Sequence, residues 1–82
     1  MNETMDARRY AICVDSQKPG DEYTVIRSSR PTAEEALNDK EAALKEFPDA
    51  ESVAIVERMG HGRFRVKQVL QGAWKAGYEF NA

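Results

Sequence analysis

Thr32-Ala33-Glu34-Glu35-Ala36-Leu37-Asn38-Asp39-Lys40-Glu41-Ala42-Ala43-Leu44-Lys45-Glu46-Phe47-Pro48 carries both the start and the stop signal of a helix. Thr32 followed by Glu35 is a capping box: the threonine hydroxyl accepts from the Glu35 amide, and the Glu35 carboxylate reaches back to the Thr32 amide. A helix is therefore expected from Ala33. Ala33, Ala36, Leu37, Ala43, Leu44 and Phe47 recur at helical spacing and make one apolar stripe, and Pro48 forbids continuation. Such a stripe needs a surface to lie on.

The flanking sequence supplies that surface as strands. On the N-terminal side, Tyr10, Ile12 and Val14 alternate with Arg9, Ala11 and Cys13, which is the period of a half-buried strand over Arg9 to Asp15. Ser16 to Asp21 contains Pro19-Gly20, a turn pair, and Glu22 to Ser28 follows as a β-branched second strand. On the C-terminal side, Ser52-Val53-Ala54-Ile55-Val56 is nearly continuous in apolar residues, so the third strand, Glu51 to Arg58, is expected in the sheet interior, covered on both faces. Met59-Gly60-His61-Gly62 is a turn. Arg63 to Leu70 alternates again, with Phe64, Val66 and Leu70 against Arg63, Arg65 and Lys67. Trp74, Ala76, Tyr78 and Phe80 alternate with Ala73, Lys75, Gly77 and Glu79, which suggests a fifth strand after a Gln71-Gly72 turn. The expected fold is α+β: an antiparallel sheet of four to five strands with one helix packed on one face, in the order β-β-α-β-β-(β).

With 82 residues, 41% of them hydrophobic and 32% charged, the chain has matter for one core and no room for two. Residues 1–7 are expected to be a disordered tail and 8–82 a single domain. The single cysteine, Cys13, has no internal partner and sits among apolar neighbours, where it is expected as a core residue. Met1 to Asp6 lacks the apolar segment of a signal peptide and no apolar run reaches about 18 residues, so neither secretion nor a membrane span is expected. The cytoplasm is the expected compartment.

Enzyme motifs are missing from the sequence. Gly60-His61-Gly62 lacks the lysine and following helix of a phosphate loop. His61 has no second histidine, cysteine or acid at ligand spacing, so an exposed turn residue is expected there and no metal site or cofactor. Cys13 with His61 would need a thiolate, which a mid-strand apolar setting disfavours. Glu34/Glu35 and Asp21/Glu22 sit where they serve capping and solvation. The chain is expected not to be an enzyme.

What remains is surface chemistry. Arg63, Arg65 and Lys67 alternate with core residues and project outward. A tight two-residue turn at Gln71-Gly72 would set Arg65 opposite Tyr78, Lys67 opposite Ala76 and Val69 opposite Trp74, a face of cations interleaved with aromatics. A turn longer by one residue would instead move Trp74, Tyr78 and Phe80 onto the face of Phe64 and Val66 and enlarge the core. Both registers fit the sequence. The candidate binding residues are Arg58, Arg63, Arg65, Lys67, Trp74, Lys75 and Tyr78. A second candidate surface is acidic. Of the chain's 14 Asp and Glu residues, seven lie between Pro31 and Glu51 against two lysines, although formal net charge is only -2. Glu34, Asp39, Glu41 and Glu46 form the outer face of the helix, which serves either as a solvated face or as a mimic of nucleic-acid phosphate.

The segment Thr32-Ala33-Glu34-Glu35-Ala36-Leu37-Asn38 after a β-hairpin resembles the helix start of HicB-like antitoxins, without the Pro-Gly-Cys segment usual before that helix in those proteins. In size, charge segregation and strand order the whole chain is similar to small phage-encoded inhibitors, including several anti-CRISPR proteins built from a bent sheet and one helix. That resemblance implies stoichiometric binding to a bacterial effector complex without catalysis. The expected partner is thus another protein or protein complex. A nucleic acid, read through the C-terminal basic and aromatic residues, is the alternative, and a homodimer through an open sheet edge is a further option.

Overall fold

The computed structural model describes residues 9–82, which form one five-stranded antiparallel sheet and a bent helix. In chain order these are β1 (Tyr10–Ser16), β2 (Tyr23–Arg30), α1 (Ala33–Leu37), α2 (Lys40–Glu46), β3 (Ser52–Gly60), β4 (Arg63–Gln71) and β5 (Glu79–Asn81). Across the sheet the order is β2-β1-β3-β4-β5. The architecture is the α+β arrangement that the strand periodicity and the capping box imply. The tail expected over residues 1–7 lies outside the described residues.

β3 is the central strand, and Val53, Ala54, Ile55 and Val56 are all fully buried, so both of its faces are covered. Each face has its own core, two clusters where the chain length suggested one, because the interior strands are buried on both sides. On the helix side Ile12, Val14, Val53 and Ile55 pack with Ala36, Ala43 and Ala50. On the other side Ala11, Cys13, Ala54, Val56, Phe64 and Val66 form a second cluster, closed by Ile26, Val69, Trp74 and Phe80. The second cluster has small residues at its centre, and side chains from β2 and β5, the two sheet edges, approach each other over it. The sheet therefore curls toward that side, and the helix lies on its convex face. Bulges in the β3–β4 ladder, between Val53/Ala54, Ile55/Val56 and Arg58/Gly60, sharpen the curl.

The helix is one apolar stripe broken in the middle. Thr32 caps it as the sequence requires, its hydroxyl accepting from the Glu35 amide at 3.1 Å. At Asn38-Asp39 the backbone tightens: the amides of Asn38 and Asp39 donate to Glu35 and Ala36, three residues back, and helix resumes at Lys40. Ala36 and Ala43 are the fully buried helix residues, one in each half, so small side chains let both halves approach the curved sheet. The bend changes one expectation, because Leu37, placed on the stripe by spacing, is 39% exposed. Beyond Phe47, Tyr23 and Phe47 rings meet at 5.2 Å and close the end of the helix-side core.

The C-terminal strand is shorter than its alternation suggests. Gln71 still belongs to β4, and Gly72 to Tyr78 form a loop before three residues of β5. The chain turns at Gly72 with φ +93°, against the start of β3, where a side-chain carbon would lie 2.7 Å from the Glu51 carbonyl oxygen and the Ser52 Cα. Only glycine fits there. The loop is tied to β4 by Gly77 N–H donating to the Val66 carbonyl and Val66 N–H donating to the Tyr78 carbonyl, both 2.8 Å. The ladder pairs Arg63 with Asn81, Phe64 with Phe80 and Arg65 with Glu79. The ladder takes the pairing register of the longer alternative, although the connection is the loop 72–78 and not a tight turn, and Trp74 and Phe80 join the core.

Candidate functional site

The seven candidate binding residues fall into two groups, on opposite faces of the β3–β4–β5 region. Arg63, Arg65 and Lys67 lie on the face away from Phe64 and Val66, and each is answered by a carboxylate. Arg63 pairs with Glu79 at 2.5 Å, Arg65 with Glu79 at 3.6 Å, and Lys67 with Glu57 at 3.8 Å. Cross-strand neighbours Glu57 and Glu79 thus turn the expected basic stripe into a mixed-charge lattice. Pairs this exposed add little stability, and only Arg63 hydrogen-bonds its carboxylate; Arg65 Nε is buried without a hydrogen-bond partner.

Arg58, Trp74 and Tyr78 belong to the concave side. Phe80 is the hub: its ring lies 5.5 Å from Trp74, 5.8 Å from Phe64 and 6.0 Å from Tyr78, with interplanar angles of 27°, 24° and 14°. Arg58 completes the row, its guanidinium carbon 5.1 Å above the Phe64 ring. Tyr78 is 52% exposed, the most exposed large apolar side chain among the described residues. Lys75 stands exposed in the same loop, its carbonyl accepting from the Tyr78 amide at 3.1 Å.

Between this aromatic row and the strands β1 and β2 lies an open cavity of about 410 Å³. One wall is Trp74, Tyr78 and Phe80; the other is Asp15, Gln17 and Thr24. Asp15 is only 5% exposed. Its carboxylate accepts from the Thr24 hydroxyl at 2.5 Å and from the Gln17 side-chain amide at 3.1 and 3.2 Å, all neutral donors. Among the described residues no Lys or Arg forms an ion pair with it. Asp15 was legible only as the end of the first strand. The first strand, expected to be half-buried, is covered on both faces, and that is what buries Asp15 beside Ala11 and Cys13.

The acidic helix residues also divide. Asp39 accepts a bidentate pair from Arg30 at 2.8 and 2.9 Å, and Glu46 one from Arg27 at 2.8 and 2.9 Å, so these two clamp the helix to β2. The hydrogen bonds from Arg30 hold the Asp39 carboxyl below its ordinary value, and those from Arg27 do the same for Glu46. Glu34 and Glu41 remain exposed on the outer helix face. Half of the expected acidic face is therefore spent on internal structure.

Cys13 is fully buried in β1, and its thiol is pushed up to about 12 by loss of solvation and then by the charge of Asp15. His61 is exposed in the β3–β4 turn, with φ 56° beside Gly62 at φ 77°, the two positive values that suit a tight hairpin. No group of three or more His, Cys, Asp or Glu among the described residues is arranged to hold a metal ion. No helix among them is long and apolar enough to cross a membrane. No family model, curated protein or solved structure matches this chain, so what the surface does has to be argued from its own chemistry.

Proposed function

We propose that this chain is a non-enzymatic binding protein of the cytoplasm that acts by occupying another protein, in the manner of small phage-encoded inhibitors of bacterial nucleic-acid-handling complexes. The observation that carries this reading is the concave aromatic row: Tyr78, half exposed, backed by Phe80, Trp74 and Phe64 and ended by Arg58. Aromatic rings and arginine are the side chains that dominate protein–protein interfaces, because they bring large contact area with few rotors to freeze. Here the rings are held in place by mutual stacking before any partner arrives. A nucleic-acid reading has less support, since the carboxylates of Glu57 and Glu79 stand beside Arg63, Arg65 and Lys67 and would repel a phosphate there.

The test is capture from a nuclease-treated bacterial lysate, with the tagged chain and its Arg58→Ala/Tyr78→Ala variant run in parallel. The native chain should retain a protein near one-to-one, and the variant should retain at least about tenfold less, the loss expected of an interface anchor. Equal recovery by both, or recovery that disappears with nuclease, contradicts the reading. A low-salt mobility shift with single- and double-stranded DNA and RNA should leave the nucleic acid unshifted.

A further inference from the structure

Asp15 presents an unusual electrostatic position. A carboxylate removed from water is ordinarily neutralised or matched by a cation. This one is 5% exposed, keeps only neutral donors, and opens onto a cavity whose opposite wall is three aromatic rings. The faces of those rings carry the negative end of the ring quadrupole. The Asp15 wall therefore favours a positive guest and repels an anion, and the rings of the other wall offer such a guest aromatic contact.

The shape of the walls narrows the guest further. The rings of Tyr78 and Trp74 lie within 14° and 27° of the Phe80 plane, so the wall is a set of nearly parallel aromatic rings. A guanidinium is planar, weakly hydrated and packs against aromatic rings while donating in its own plane, whereas an ammonium is compact and holds its water. Three hydrogen bonds already reach the Asp15 oxygens, leaving about one of a carboxylate's four acceptor sites for a guest donor. Among the described residues the same contact occurs twice, with Arg58 over Phe64 at 5.1 Å and Arg27 over Phe47 at 5.3 Å.

We infer that the cavity between Asp15 and the Trp74, Tyr78 and Phe80 rings is a receptor for an arginine side chain presented by the partner protein. This rests on the binding role proposed above and names what the concave face recognises. Charge complementarity selects the guest, and nucleic-acid-handling proteins are rich in exposed arginine on their phosphate-binding grooves.

Trp74 is the chain's single tryptophan and lines the cavity, so its fluorescence reports occupancy in the full-length chain. The probes are N-acetyl-arginine amide, its neutral isostere N-acetyl-citrulline amide, and N-acetyl-lysine amide. The arginine probe should give a saturable change in Trp74 emission, with citrulline and lysine at least about tenfold weaker. Asp15→Asn should weaken the arginine response to the citrulline level, and Tyr78→Ala, a substitution at an exposed residue, should weaken it without unfolding the chain. Equal responses to arginine and citrulline, equal responses to arginine and lysine, or no saturable response overturn the inference. A chain that retains its partner through Tyr78 yet ignores the arginine probe overturns the cavity assignment while leaving the interface intact. Loss of partner capture with a preserved arginine response does the reverse.

Discussion

At Gly72 the backbone leaves β4 in a conformation that L side chains avoid, pressed against the Glu51–Ser52 backbone. Gly72→Ala therefore meets two penalties, positive φ and a backbone clash, and should lose at least about 2 kcal/mol of stability in urea unfolding. An unchanged midpoint would mean that the turn relaxes freely. Ser28 is the opposite case. It has φ 65° at the irregular step where the β1–β2 register shifts, and a serine pays for that conformation. Ser28→Gly relieves about 1 kcal/mol of strain, partly offset by a looser unfolded chain, so a net gain of about 0.5 kcal/mol is expected in thermal unfolding. Neither position is visible as special in the sequence. Gly72 reads as an ordinary turn glycine, and Ser28 as a strand residue, because in both the constraint comes from a neighbouring strand.

The bent helix draws its position from two sources, its cap and its clamps. Thr32→Ala removes the acceptor for the Glu35 amide and should cost about 1 kcal/mol, measured by denaturant unfolding. The Arg30–Asp39 and Arg27–Glu46 pairs act between helix and β2 and make stability depend on acid. Both carboxyls are held below their ordinary values in the folded chain, so their contribution is complete above the ordinary carboxylate range and is lost as pH falls through the folded values. Unfolding midpoints should fall below about pH 4, and Asp39→Asn should flatten that decline. A variant as acid-sensitive as the native chain would contradict the clamp. At this scale much was legible: the Thr32 cap, Pro48 and the interior strand at Ser52–Val56 appear where the residues place them, but the Glu35 carboxylate does not complete the capping box, and bulges move Leu70 to the helix side, away from Phe64 and Val66. The helix break was not, since Asn38-Asp39 fits a helical pattern well enough, and Arg30 of β2 meets Asp39 at the bend only in the folded chain. The last strand was misjudged in length, because Trp74 to Phe80 alternates like a strand while two hydrogen bonds to Val66 hold its first part as a loop.

Across the whole molecule the sheet separates two surfaces that the sequence could not tell apart. The cations of β4 alternate cleanly in sequence, but their cross-strand carboxylates, Glu57 and Glu79, become neighbours only once β3 and β5 are in register. The cavity is less legible still, since Asp15 and Thr24 reach Trp74 and Phe80 only when the two edges of the sheet curl together. The central claim is that the partner sits on this concave side. Replacing Trp74 by 5-fluorotryptophan gives the chain one fluorine resonance, invisible to any tryptophan of the partner. Titrating the labelled chain with the captured protein should move that resonance, with the change complete at one equivalent. A complex that co-elutes in gel filtration while the Trp74 fluorine signal keeps its free-chain shift would contradict the claim.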